Sequence, residues 1–274
     1  MAVQIAGGSS SAGIANVTPE YALLTATSLD ETKAGFTAIA YENDAGDVTG
    51  SRMIVSPEVS HDFRQRVGVD VPLFNELFPG TTINTSIWTA PVTTFTVTQT
   101  AGSINLNGTT AANGVARVAS WRSFPVFSGL GLTLRCRVKF AVTPQANTVH
   151  EWGMFIAATT SAPTDGVFFR INASQVMTCV VNANGTEIVS EPIDFATLIG
   201  TTSYHNCAID IQEDTARFWI DDALVAEVFA GAGPTTSGSL PIASRIYNTA
   251  SAAALAQTFS MSSVSVVQQD GGFV

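Results

Sequence analysis

The chain has 274 residues, 46% of them hydrophobic and only 12% charged, so it can bury a full core without disulfide or metal staples. A net charge of −10 opposes approach to nucleic-acid backbones and anionic membranes, and no apolar run reaches membrane-spanning length. The cysteines, Cys136, Cys179 and Cys207, are odd in number and lie in apolar runs, so they read as reduced core thiols, with no metal or cofactor expected.

Residues 1–20 read as an arm of Gly, Ser and Ala in which isolated Val3, Ile5, Ile14 and Val17 need a docking surface on a neighbouring subunit or partner. Residues 21–60 carry three short strand-like runs, YALLTATSL, AGFTAIAYE and SRMIVSPEV. They form a small β module, too small to be stable without packing on something larger. Residues 61–82 make a connector in which FNELF forms one helical turn. From 83 to 274 short β-branched and aromatic runs follow one another, with hairpin turns expected at Asn107-Gly108, Asn113-Gly114, Asp165-Gly166 and Asn184-Gly185. The pattern predicts an all-β chain whose main domain is an antiparallel β-sandwich.

Two stretches of that domain show their faces. In LRCRVKF, Leu134, Cys136, Val138 and Phe140 share one side, while Arg135, Arg137 and Lys139 share the other. The cations form a solvated face or a docking patch for an acidic partner. In AIDIQEDTARFWIDDALVAEV, residues 208–228, three strands turn near Glu213-Asp214 and Asp221-Asp222. Those acidic pairs then stand roughly 25 Å apart along the middle strand, too far for glycoside chemistry, which needs about 5–9.5 Å. Asp210 and Glu227 flank Arg217 as a surface ion triad. Cys207, Ile209, Ile211, Phe218, Ile220 and Leu224 point inward, and Trp219 falls on the polar side as a possible outward contact for sugar. Trp88, Trp121 and Trp152 read as core or interface.

Enzyme signatures are absent. There is no GxSxG, HExxH or GxxxxGK motif, and Glu187, Glu191 and Asp194 do not alternate on one strand face as an ExDxE glucanase strand requires. His61, His150 and His205 have no nucleophile nearby in sequence, so no catalytic residue is assigned.

Two resemblances extend this reading. YHNCAIDIQEDTARFWIDDALVAEV resembles the late strands of concanavalin A-like jelly rolls, which implies that fold for residues 83–274. SPEVSHDFRQRVGVD, with Asp62, Phe63, Arg64, Arg66, Val67, Gly68 and Asp70 on the pattern, resembles structural proteins of tailed-bacteriophage particles. That resemblance implies a non-enzymatic virion component made in the bacterial host cytoplasm, a capsid decoration, cement or head-fibre protein. It would bind the major capsid protein or other virion proteins through its N-terminal region, Phe63, Arg64 and Arg66 included, as a homo-oligomer with a trimer favoured. The alternative is a carbohydrate-binding adhesin or a tail-fibre or baseplate component contacting host glycans, and a glycan-cleaving enzyme stands third.

Overall fold

The computed structural model describes strands between residues 5 and 55 by their backbone, and residues 71–268 apart from 127–130, 158, 202, 213 and 230–237. The chain divides into two compact units, residues 1–67 and 68–274.

In the first unit, β1 (Ile5–Gly8), β2 (Ser11–Thr18), β3 (Tyr21–Thr27), β4 (Thr37–Glu42) and β5 (Met53–Val55) form one five-stranded sheet in chain order. The expected arm is therefore paired in part: Ile5 lies opposite Ala15, and Ile14 opposite Leu24. Ile5, Ile14 and Val17 lie on these strands, whereas Val3, Phe63, Arg64 and Arg66 lie outside the described residues.

The second unit is a concanavalin A-like jelly roll of two eight-stranded sheets. The front sheet runs β19 (Ala223–Phe229), β18 (Thr215–Ile220), β17 (His205–Ile211), β12 (Leu132–Phe140), β21 (Gln257–Gln268), β10 (Ser103–Gly108) and β9 (Thr96–Thr100). β6 (Val71–Glu76) pairs with the second half of β21, beyond the part that β10 occupies. The back sheet runs β16 (Thr186–Val189), β15 (Met177–Ala183), β14 (Asp165–Ile171), β13 (Thr148–Ile156), β20 (Ser239–Asn248), β11 (Val115–Pro125) and β7 (Trp88–Thr89), with β8 (Val92–Thr93) also on β11. FNELF is not helical: Phe74, Asn75 and Glu76 belong to β6, and Phe74 packs edge-on against Trp88 and Phe124. A single short helix, α1 (Phe195–Leu198), is described, capped by Asp194.

Alternation assigns each strand's inner side. Leu134, Cys136 and Val138 of the front sheet join Trp152, Met154, Val167, Phe169 and Cys179 of the back sheet in one core. Trp152 stacks on Phe169 with ring centroids 5.2 Å apart. The three cysteines are free and buried, and Cys136 lies directly opposite Cys207. His150, on the inner side of β13, is wholly buried, and desolvation pushes its pKa down to about 3. Such a histidine stays neutral and structural.

Turn chemistry follows the sequence at Asn184-Gly185, where both residues have positive φ, 50° and 76°, and close the β15–β16 hairpin. Asp165-Gly166 departs from it. Gly166 lies inside β14, where a Cβ would come within 2.4 Å of Phe155 Cβ. Opposite it the same arrangement is reversed, since a Cβ on Gly153 would come within 2.6 Å of Phe168 Cα. Phe155 therefore lies opposite Gly166 and Phe168 opposite Gly153, so the backbones approach closely there, and the two rings pack on each other with centroids 5.1 Å apart. The glycines serve close packing rather than a turn.

Candidate functional site

The outer side of the back sheet carries a charged row that crosses five strands in register. Arg117 of β11 faces Arg245 of β20, which faces Glu151 of β13, which faces Arg170 of β14, which faces Thr178 of β15. A lone charge in a mostly apolar strand must be partnered when buried, and here the partners are the neighbouring strands. Glu151, fully buried, accepts from Arg245 Nε through Oε2 and from Arg170 Nε through Oε1 at 2.7 Å. Arg170 then reaches along the sheet to Glu187 of β16, donating from Nη1 and Nη2 at 2.7 Å each.

Electrostatics follow from this geometry. Burial works to raise the Glu187 carboxyl, but the hydrogen bonds and charge of Arg170 outweigh it and hold the group below the usual carboxylate range. Burial works to lower the Arg170 pKa, and hydrogen bonds to Glu187 with the charge of Glu151 drive it up instead. Burial and the nearby charge of Arg245 lower Arg117. Burial, with the charge of Glu151, raises the Tyr247 hydroxyl, whose ring lies 4.7 Å from the Arg245 guanidinium carbon.

A segment of the chain covers this row. The β13–β14 connection, carrying Ala157 and residues 159–164, is tied down as a strap. Arg117 Nη1 donates to the Ala157 carbonyl, Arg245 Nη1 to that of Thr159 at 2.9 Å, and Asn182 Nδ2 to that of Pro163 at 2.8 Å. Ala157 packs on Ala119, Phe155, Phe168, Val180 and Ala243, a second small core on the outer side of the sheet. Arg170 and Glu187 remain part-exposed at the rim, at 16% and 24% of their side-chain surface.

Glu151 and Glu187 stand on two sides of one guanidinium, whose width plus a hydrogen bond at each end spaces the carboxyl groups roughly 6–8 Å apart. That lies in the range of about 5–9.5 Å spanned by paired glycosidase carboxyls. Among the described residues no group of three or more His, Cys, Asp or Glu side chains could hold a metal ion.

The outward-face residues singled out from sequence, Arg135, Arg137, Lys139 and Trp219, lie on the other sheet. Arg135, Arg137 and Lys139 line the outer side of β12, and Arg137 and Lys139 lie 5.2 and 5.7 Å from the Tyr204 ring centre. Trp219 faces that side, opposite Ala208. The register of the triad is as read, with Arg217 opposite Asp210 and Glu227 and its Nε donating to Glu227 at 2.7 Å, but Asp210 is buried, so the triad is not a surface one. Leu224 departs from its inward placement. A bulge between Phe218 and Trp219 sets Leu224 opposite Trp219, 48% exposed. Trp88 and Trp152 are core, but Trp121 is 66% exposed, its indole N–H fixed on the Thr85 carbonyl at 2.9 Å. Of the acids weighed together, Asp194 caps α1 and only Glu187 joins the charged row. Sequence reading missed Glu151, Arg170 and Arg245. The available signal was a single charge within HEWGMFI, GVFFRI and IASRIY.

No protein-family model and no curated protein matches the chain. Solved structures match its fold. A β-glucanase from Bacillus licheniformis superposes with a TM-score of 0.54 at 16% identity, covering 73% of this chain and 99% of that one. An endo-acting O-glycanase of the human gut microbiota, described as initiating mucin breakdown, gives 0.55 at 14%, covering 72% and 99%. A glycosyl hydrolase family 16 protein from Mycobacterium smegmatis gives 0.52 at 14%, covering 72% and 100%. These neighbours correct the phage-particle reading, in which the chain is a non-enzymatic capsid decoration, cement or head-fibre protein. The jelly roll is a fold that these glycoside hydrolases share, and the motif that suggested a virion protein, residues 56–70, lies outside the described residues. The expectation of no enzymatic role is corrected with it, because acids spread along β17–β19 say nothing about acids brought together on the other sheet.

Proposed function

We propose that the protein is carbohydrate-active and engages a glycan of the kind its structural neighbours act on, a β-glucan or a mucin O-glycan, at the strap-covered side of the back sheet. The observation that carries this reading is the pair Glu151 and Glu187 around Arg170, on a jelly roll whose solved neighbours include a β-glucanase and an O-glycanase. Arg170 and Glu187 offer hydrogen bonds to sugar hydroxyls at the rim, and capture of a glycan there needs no change in the network.

Hydrolysis is the second reading, favoured by the carboxyl spacing. It requires one protonated and one ionised group. Glu187, held below the usual range by Arg170, suits the ionised role of stabilising an oxocarbenium-like state or orienting water. Glu151 is held by Arg170 and Arg245, so its taking part in cleavage would follow only a loosening of the strap.

The test uses lichenan, laminarin and mucin, with retention in affinity gels and release of reducing ends as readouts. Retention by one of these, weakened in Glu187→Gln, supports the proposal, and reducing-end release lost in the same variant adds the second reading. Neither retention nor release with all three would sink it.

A further inference from the structure

Two thiols meet inside the sandwich, in a part of the core that takes no part in the glycan reading. Cys136 of β12 and Cys207 of β17 lie opposite one another in register, and both side chains belong to the core between the sheets. Val264 of β21 and Ile220 of β18 continue the row on either side. In this aliphatic setting the two thiols hydrogen-bond to each other.

The ladder fixes their separation. Asn206 turns its backbone N–H and its carbonyl towards Asp221 on the β18 side, with both bonds 2.8 Å long. Backbone groups alternate sides along a strand, so those of Cys207 face β12. Cys136 and Cys207 are then a hydrogen-bonded pair with Cα atoms about 5.5 Å apart. A disulfide spans about 4.4–6.8 Å between Cα atoms, most often about 5.5–6 Å. Cys179 stands on β15 of the facing sheet. Facing sheets lie about 10 Å apart, beyond that span, so the geometry singles out one pair among the three cysteines.

Burial decides when such a bond can form. Thiolate is the attacking species in disulfide exchange. The hydrogen bond from Cys207, together with burial, holds the Cys136 thiol well above the ordinary thiol range. In the closed sandwich Cys136 is 6% exposed and Cys207 1%, which shields both from a soluble oxidant. Until β17 docks on β12, both are open to it.

We infer that Cys136 and Cys207 are a cross-strand disulfide site, closed when the chain folds with a small-molecule disulfide such as oxidised glutathione and left open when it folds without one. One protein thiolate attacks the small disulfide, forming a mixed disulfide and releasing one small thiol. The second protein thiolate displaces the other. The chain gives up two protons and two electrons, which leave in the two small thiols. The new bond ties Leu132–Phe140 to His205–Ile211, strands far apart in the chain, and so removes a long loop's freedom from the unfolded state.

The experiment is refolding of the full, fully reduced chain from denaturant, either with excess oxidised glutathione or with a reduced thiol alone. Free thiols are then counted in denaturant with a maleimide, and bonded peptides are mapped. Reducing conditions should leave all three thiols free, and oxidising conditions only that of Cys179. The bonded chain should have its urea midpoint raised by about 1 M or more. Cys179→Ser should still lose both of its thiols, and Cys136→Ser should keep both of its own, with Cys136→Ala in its place if the serine variant loses its cooperative melt. A reduced chain that has already folded should lose thiols about tenfold more slowly, or slower still, in the same oxidant. All three thiols surviving oxidative refolding, a bond mapped to Cys179 or glutathione retained as a mixed disulfide would overturn the inference. So would a midpoint that stays or falls, or thiol loss as fast in the folded chain.

Discussion

The two outer faces of the sandwich solve opposite problems with the same residue types. On the back sheet, arginines and glutamates are sealed under the strap and satisfied by one another. On the front sheet, Arg137 and Lys139 reach the surface beside Ser, Asn and the Tyr204 ring. What separates the faces is whether a charge keeps its hydration, and this sets how much of the fold rests on it. A buried carboxylate stripped of its arginine, or the reverse, leaves a desolvated charge, whereas an exposed one exchanges a partner for solvent.

The sharpest way to break the contrast is Glu151→Gln, which leaves Arg245 and Arg170 facing a neutral amide in a buried site. We expect a loss of about 3–5 kcal/mol in urea unfolding, against a change within about 0.5 kcal/mol for Arg137→Gln on the open face. Comparable losses at both positions would erase the distinction. Next in size is a pH effect from His150, one residue from Glu151 on the inner side of β13. Its folded pKa of about 3 lies below its unfolded value, so the unfolded chain takes up the proton first as pH falls. Its contribution is fully present above about pH 6.5 and declines towards pH 3. Between pH 7 and pH 4 it amounts to roughly 3 kcal/mol, a slope that should be missing from His150→Gln when denaturation curves at the two pH values are compared. A smaller effect is expected at the part-exposed Arg217–Glu227 pair. Glu227→Gln, which leaves Arg217 opposite buried Asp210, should cost about 0.2–1 kcal/mol and respond to salt, and a loss insensitive to salt would show that Glu227 acts through packing.

The front face was legible from sequence because only one of its sides is dry. LRCRVKF alternates apolar and cationic residues, and the hairpin of β17 and β18 pairs Asp210 with Arg217 as simple counting predicts. Leu224 escaped because a bulge adds a residue that no period records. The back sheet hid its site for the opposite reason. Both of its faces are covered, so β13, β14 and β15 read as almost continuous apolar runs without a visible outer side. The groups that meet there are also far apart in the chain: Arg170 and Glu187 by 17 positions, Glu151 and Arg245 by 94. Separation measured along one strand correctly kept the acids of β17–β19 apart, but it could not see acids joined across strands.

Phenylalanine and glycine facing each other twice, in opposite senses, act as a key between β13 and β14. Sliding one strand by two residues would bring Phe155 onto Phe168 and set Arg170 against Gly153 instead of Glu151. Each phenylalanine would then lose the glycine opposite it, where a Cβ would not fit, while a guanidinium lost Glu151, so the misaligned pairing is penalised twice. Two residues without side chains thereby decide which charges meet.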